Sequence, residues 1–563
     1  MKRAVCLLVL ALFSLSVAAW AQDAATIIGT VTDPSGAVVP NVNVEVSNPD
    51  KGFKRILVSD SAGSYVAAKV PIGSYVITAE TAGFQKLVRS GFTLQVGQLL
   101  RVDLQMQVGA TTQQVTIVGN VPRVETDSGA LSQVITGTQV VDLDLNGRGF
   151  TNLELLVVGA SEANNAVSFG SPTSPNIAFN GMRSTGNRSE IDGNGNTDMG
   201  AGGASNDTIP SIDAIAEFRI ITNNYGADMG QAGGSIVELA TKSGTQEFHG
   251  GLYEFVRNTD FNSNDFFQNR VLAPAGGNAP KVPTHWNDPG YYIGGPFYIP
   301  GVYNNDKSKT FFFWSQEFHR YRTGTVINTS VPTLLQRQGN FSQCDSTSSN
   351  YSSVIAAGCI LSKIPGSGGQ LYPNDIVPVS PNATALLNGL VPLPDSGLNG
   401  YVSSPSNPTN WGQQNIRVDQ NINDRTSVFV RFTHDAFDIG SFPGCCTTVS
   451  EGPGTYDTVG SVEYRLSFNP TLHLTHSFTS RLMNEFIVGY TSDGLFFQQP
   501  VVGPSNVAGS FKKPANWTGG NLFAVNASNP RLPILSVSGG GRASAPWVSP
   551  STRPSQMWRQ LTC

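Results

Sequence analysis

The sequence predicts a mainly β protein in three successive parts: a small N-terminal β-sandwich, an α/β unit, and a run of antiparallel strands forming an incomplete membrane barrel. Three observations predict it. Charged residues make up 13% of the 563 while glycine reaches 60, and a charged share about half that of ordinary soluble domains suits turn-rich β structure. Residues 1–21 have the make-up of a secretory signal, so the chain is exported. Beyond residue 250 apolar and polar residues alternate, and the turns between the alternating runs are short on one side and long on the other, as in barrels that cross a membrane.

The signal consists of Lys2-Arg3, an apolar run from Ala4 to Ala18, and the small-x-small site Ala19-Trp20-Ala21. No later stretch reaches the ~18 to 20 apolar residues that a spanning helix needs. A mature chain in a membrane would therefore have to be a barrel, because only helices and closed sheets satisfy their backbone groups in lipid. The net charge of −5 offers no basic footprint for nucleic acid. Five cysteines follow the signal: Cys344, Cys359, Cys445, Cys446 and Cys563. Cys344 and Cys359 bracket a serine-rich stretch, and both a loop disulfide and two unrelated thiols fit them.

From Asp23 to Gln107 strand-like runs follow at short intervals: Thr26–Val31, Val42–Val46, Arg55–Ser59, Ser64–Val70, Ser74–Ala79, Gln85–Leu94 and Leu99–Met106. Asp33-Pro34-Ser35-Gly36, Asn48-Pro49-Asp50 and Pro71-Ile72-Gly73 punctuate them. This is a sandwich of about 85 residues, a size that folds alone. Gly29, Val31, Asp33, Gly36, Pro40, Val42 and Val44, followed by Asp60-x-x-Gly63-x-Tyr65, Pro71-x-Gly73-x-Tyr75 and Gly83-Phe84, resemble the carboxypeptidase-regulatory-like domains, a carbohydrate-binding-like fold. These positions are turn glycines and core tyrosines, with no catalytic group among them.

Residues 108–123 form a polar connector around one extended patch, Gln114-Val115-Thr116-Ile117-Val118. In residues 124–243 a strand is expected near Gln133–Ile135 and a helix-like piece over Thr151–Val158, with Leu153, Leu156 and Val157 on one side. Two strand-like runs, Glu217–Thr222 and Ser235–Lys242, flank the glycine-rich segment 226–234. A third, Phe248–Arg257, places Tyr253 and Phe255 on one face and Leu252, Glu254 and Val256 on the other.

Pro210-Ser211-Ile212-Asp213-Ala214-Ile215, Glu217-Phe218, Asn224-Tyr225, Gly233-Gly234, Thr241-Lys242-Ser243-Gly244-Thr245 and Phe248-His249-Gly250 occur in that order, and the stretch resembles the plug-to-barrel junction of Oar-like TonB-dependent outer-membrane receptors. Leu145-Asn146-Gly147-Arg148 with Phe150, Asn180-Gly181-Met182-Arg183, and Ile191-Asp192-Gly193 match the family's plug at earlier positions. The resemblance implies a plug over 124–243, a barrel over 244–563, and an outer-membrane location in contact with lipid. It implies an extracellular ligand, and a TonB box that pairs with an energy-coupling protein in the periplasm. Gln114–Val118 stands where that box is expected, though without the acidic residue that commonly opens it; a linker strand with no partner is the other reading.

In the last part, Val462, Tyr464, Leu466 and Phe468 alternate with Glu463, Arg465 and Ser467, and Asn469-Pro470-Thr471 is expected to turn the chain into Leu472, Leu474 and Phe478, opposite His473, Thr475 and Ser477. A second hairpin opposes Ile416 and Val418 to Arg417 and Asp419, turns at Asn423-Asp424-Arg425, and returns through Val428, Val430 and Phe432. Thr310–Tyr321 has the aromatic density of an interfacial girdle. About eight strands precede residue 490, too few to enclose a plug, since plugged barrels have about 22. The chain is therefore expected to be the N-terminal part of a longer receptor, with ligand specificity in loops such as Ala273–Asp288 and Gln338–Pro408.

No HExxH, Walker or GxSxG pattern occurs, so neither an enzyme nor a cofactor is expected. His473-x-x-His476 points to opposite faces of a strand, and Asp192–Asp198 begins like an EF-hand loop but lacks its glycine and closing glutamate; no metal is expected. The expected function is TonB-dependent transport or reception of an unidentified ligand, with carbohydrate and peptide as the classes considered. The alternative is a non-transporting surface protein that adheres or binds a glycan or partner.

Overall fold

The computed structural model describes residues 25–498 apart from 110–113, 119–127, 144, 163–176, 199–205, 227–228, 231, 265, 267–280, 282, 325–326, 358–366, 404–405, 442–460 and 480–481, together with the backbone of 558–562. The signal segment, Cys359, Cys445, Cys446 and Cys563 lie outside the described residues.

Eight strands build the sandwich: β1 (Ala25–Thr32), β2 (Asn43–Asn48), β3 (Phe53–Val58), β4 (Ser64–Val70), β5 (Gly73–Glu80), β6 (Lys86–Leu94), β7 (Leu99–Arg101) and β8 (Leu104–Gln105). One sheet runs β4-β1-β7 with β8 also on β1; the other runs β3-β2-β5-β6 and gains β9 (Gln114–Val118) at its edge. Alternate residues such as Ile27, Val31, Val44, Val46, Ile77 and Leu94 are fully buried between the sheets. Tyr65 and Tyr75 are buried with them, and their hydroxyls donate to Val102 O and Pro71 O at 2.6 Å each, which removes the cost of enclosing a polar tip. The single strand expected over Leu99–Met106 is broken into β7 and β8 at Val102, whose N–H turns to Ile28 O.

A central unit follows with β10 (Leu131–Thr136), α1 (Gly137–Asp142), β11 (Ala160–Glu162), β12 (Ile177–Phe179), β13 (Arg188–Ile191), β14 (Asn194–Gly195), β15 (Ile215–Asn223) and β16 (Ile236–Thr241). Its sheet has the order β10-β15-β16-β13-β14, with β13 and β16 parallel. Thr136 and Gln139 form a capping box that starts α1. The helix-like piece expected over Thr151–Val158 is a 3-10 helix over Phe150–Leu156. Phe150, Thr151, Leu153 and Glu154 are buried in it, while Leu156 is exposed and does not share the buried side with Leu153 and Val157.

The third part is one antiparallel sheet, the wall, of eight strands: β17 (His249–Asn258), β18 (Thr284–Pro296), β19 (Thr310–Gly324), then, after the small separate hairpin of β20 (Ile327–Ser330) and β21 (Gly400–Ser403), β22 (Ser406–Asn423), β23 (Thr426–Ser441), β24 (Ser461–Ser477), β25 (Met483–Gln498) and β26 (Trp558–Thr562). The sheet is not closed, since β17 and β26 are its two edges. Trp314, Ile416, Val430, Phe432, Leu466 and Leu472 are exposed on its outer face; Glu317, Asn415, Arg431, Asp435, Ser467 and Asn469 are fully buried on its inner face against the central unit.

Three expectations change here. Residues 461–477 form one strand and not a hairpin about Asn469-Pro470-Thr471. Proline lacks an N–H, and the chain accommodates it inside β24 where the pairing with β25 is interrupted between Phe468 and Thr471. In Thr310–Tyr321 only alternate side chains face out: Phe311, Phe313 and Tyr321 are buried inside, so the segment is not a girdle of the kind expected. The loops expected over Ala273–Asp288 and Gln338–Pro408 end earlier, at Thr284 and Ser406; the second contains β21 and short helices, and Arg337 just before it is buried and donates to Leu387 O and Val391 O. Cys344 in that loop is disulfide-bonded.

Candidate functional site

The functional side chains meet where the central unit touches the wall. Asp192 opens the turn out of β13; it and Gly193 both have positive φ, 47° and 76°. Its Oδ1 accepts from Thr241 N at 2.9 Å, and its Oδ2 from Thr241 Oγ1 at 2.6 Å. From the wall, Arg431 Nε approaches Oδ2 to 2.8 Å and Arg417 Nη1 approaches Oδ1 to 3.2 Å. Arg431 also donates through Nη2 to Ile191 O at 3.0 Å and Asn469 Oδ1 at 2.7 Å, and through Nη1 to Thr433 Oγ1 at 2.7 Å. A buried charge with this many partners is tolerated; with fewer it would be expelled.

Arg148 makes the second junction. It follows Asn146 and Gly147 in a 3-10 turn in which Gly147 and Arg148 have φ of 74° and 52°. Its Nε lies 2.6 Å from Glu317 Oε1 on the wall, and its Nη2 lies 2.7 Å from Asp213 Oδ2 within the central unit. The guanidinium rests over Phe255 and Tyr253, 4.2 and 4.8 Å from the ring centroids, and the Tyr253 hydroxyl donates to Glu317 Oε2 at 3.1 Å. The ion pairs are largely enclosed, whereas Phe255 under the guanidinium is 48% exposed. The aromatic face of β17 is thus the inner one, while Leu252 and Val256 are exposed outside.

Not all of the expected residues gather there. Asn180 and Gly181, at φ 51° and 73°, form an exposed turn with Arg183, and Asn180 Nδ2 donates to Thr222 O at 3.2 Å. Glu317, Asp435 and Asn469 complete the junction without having been singled out: Asp435 accepts from Ile209 N and Trp411 Nε1, each at 3.2 Å. Asp198, Asp207 and Asp493 are the described carboxylates close enough to share an ion. Arg465 Nη2 already pairs with Asp493 at 2.8 Å. Burial, helped by Asp198 and Asp493, pushes the Asp207 carboxyl up to about 7.

Gln114–Val118 lies on the sandwich, parallel to β6, with Leu87 opposite Val115 and Val88 opposite Thr116. Val115 packs against the sandwich core, and Thr116 and Ile117 are exposed. The sandwich is fastened to both other parts. Val96 N donates to Glu217 Oε1, Arg219 Nη1 donates to Gly97 O, Asn421 Nδ2 donates to Lys51 O at 3.0 Å, and Lys69 Nζ pairs with Glu485 at 3.1 Å. Burial pushes the Glu217 carboxyl up to about 7 despite the Val96 N–H and nearby Lys51. A cavity of about 80 Å³ remains where the three parts meet, lined among others by Lys51, Lys69, Asp192, Arg417 and His473.

Residues 240–561 match the family model described as the outer membrane beta barrel domain, and residues 26–107 match the carboxypeptidase regulatory-like domain. Among curated proteins, the TonB-dependent transporter Oar of Myxococcus xanthus is 28% identical over 245 residues, which is 42% of this chain and 22% of that protein. The chain thus spans about a fifth of that relative's length. Among solved structures, the outer membrane transporter YddB from Escherichia coli aligns with TM-score 0.38 and 8% identity over 65% of this chain and 39% of its own. The ferric enterobactin receptor from Pseudomonas aeruginosa gives TM-score 0.31 and 8% identity over 65% and 45%. With more than half of its residues on the barrel model and the regulatory-like domain ahead of them, the chain belongs to the outer membrane beta barrel domain family, in the Oar-like TonB-dependent receptor arrangement, and resides in the outer membrane.

Proposed function

We propose that the chain acts in TonB-dependent transport or reception at the outer membrane. Residues 124–243 are the plug and 244–563 the wall around it. Residues 108–123 carry the strand Gln114–Val118, which a TonB-type energy-coupling protein takes hold of in the periplasm. An extracellular ligand of unidentified chemistry, a carbohydrate or a peptide, meets the long loops. The observation that carries this reading is the two-faced wall: apolar outside, and inside a surface that mixes aromatic rings with many buried polar groups and is joined to the central unit through Asp192–Arg431 and Arg148–Glu317. A permanent core would be sealed with apolar contacts, whereas ion pairs and hydrogen bonds can be exchanged for water when a plug is remodelled. Asn146, Gly147, Arg148, Asp192 and Gly193 then serve to seat the plug, and Asn180, Gly181 and Arg183 shape one of its exposed turns.

Deletion of Gln114–Val118 tests the proposal in cells. It is expected to abolish capture of the chain by the periplasmic domain of the TonB-type protein and uptake of labelled carbohydrate and peptide mixtures, with the protein still in the outer membrane. Undiminished capture and uptake would reject it.

A further inference from the structure

We infer that the sandwich stores the coupling strand and withholds it from its partner; the inference rests on the reading of Gln114–Val118 as that strand. In register, Lys86 to Ser90 of β6 face Gln114 to Val118, so β9 is held by a parallel ladder over its whole described length. Such a ladder satisfies one edge of the strand, and a partner that binds by strand addition needs an edge and the alternate side chains together. Val115 and Ile117 share a face of β9 because side chains alternate. Val115 is spent on the sandwich core, against the cluster that contains Leu87 and Phe92. β9 is the edge strand of its sheet and Ile117 is exposed, but an incoming strand that also reads Val115 must peel β9 from β6.

The store is fixed in place. Lys51, Lys69, Val96 and Gly97 anchor the sandwich to the wall and the central unit through Asn421, Glu485, Glu217 and Arg219. The strand consequently sits at a defined point beside the plug, attached to a body that resists being dragged along. Release of β9 becomes a separate step that precedes any pull on the plug, and the sandwich gains a role as the guard of that step.

A reversible lock tests this in the full chain. Val88 and Thr116 face each other in the ladder, at a spacing that a disulfide can bridge, so Val88→Cys with Thr116→Cys ties β9 to β6 when oxidised and frees it when reduced. Binding of the purified periplasmic domain of the TonB-type protein to the detergent-solubilised chain is measured in both states. Oxidation is expected to weaken binding at least about tenfold, with full recovery on reduction. Equal binding in the oxidised and reduced states, together with loss of binding when Gln114–Val118 is deleted, would overturn the storage role and leave the coupling reading standing. Binding that survives the deletion would remove the coupling reading itself, and the inference with it.

Discussion

Arg431 Nε lies 2.8 Å from Asp192 Oδ2, and both side chains are completely enclosed between the wall and the central unit. Removal of the carboxylate takes from the fully enclosed Arg431 the acid it pairs with, while Arg417 keeps Asp419 at 2.9 Å. Asp192→Ala is therefore expected to destabilise the folded chain by about 3–5 kcal/mol, the usual cost of orphaning a buried charge. Asp192→Asn keeps the acceptor for Thr241 and should cost less. Thermal unfolding in detergent micelles measures both, and equal losses for the two variants would show that the charge itself is unimportant.

Arg148 combines a forked ion pair with stacking on Phe255 and Tyr253. A lysine would preserve the charge and lose the planar fork, so Arg148→Lys is expected to retain little of the interaction, at a loss of about 1–3 kcal/mol. A double-mutant cycle with Glu317→Gln isolates the pair, and its coupling energy is expected to exceed about 1 kcal/mol. Additive single effects would sink this assignment.

Glu217 supplies a pH dependence. Its carboxyl is held at about 7 in the folded chain, up from the ordinary 4.5, by burial where the sandwich meets the central unit. Between those values the unfolded chain has released the proton while the folded chain retains it, so stability falls as pH rises through this window and levels off above about pH 7. The shift corresponds to roughly 3 kcal/mol at most. Glu154, raised by burial to about 8, and Asp207 act with the same sign. The difference between wild type and Glu217→Gln isolates one group: the variant should lose less stability than wild type between about pH 5 and about pH 8. Parallel pH profiles would contradict the buried position of Glu217.

Much of this was legible in the chain. The inner-face arginines Arg417 and Arg465 already stood opposite apolar neighbours in the alternation, and the left-handed turn at Asp192-Gly193 coincides with one of the motifs that carried the family resemblance. What they contact was not legible, because Glu317, Asp435 and Asn469 come from strands far away in the sequence, and long-range pairing leaves no local trace. The mistake at Pro470 is instructive. Tyr464, Leu466, Phe468, Leu472 and Leu474 all share one parity, and a turn would have reset it; the unbroken period was the better guide, and a single breaker residue outweighed it. Arg148 shows the opposite case, in which a short motif located the residue and only the fold supplied Glu317, Phe255 and Tyr253 around it.

The two faces of the wall make one further prediction, and it tests the membrane setting directly. Leu466 and Ser467 are neighbours on β24, yet Leu466 is 45% exposed on the outer face and Ser467 is fully buried on the inner one. In lipid the exposed leucine costs nothing, whereas a charge there must leave water for hydrocarbon. Leu466→Arg is accordingly expected to lower the stability of the inserted protein by about 2–4 kcal/mol if the position lies near the bilayer midplane, and less towards either rim. Leu466→Ala removes apolar area without adding charge and should cost little on that face. Folding into phospholipid vesicles, followed by the shift in gel mobility on heating, reads the inserted fraction. A soluble sheet would erase the difference between the two variants, since arginine and alanine are both tolerated on a wetted face. Leu466→Arg inserting as well as wild type would therefore place water, and not lipid, against the outer face.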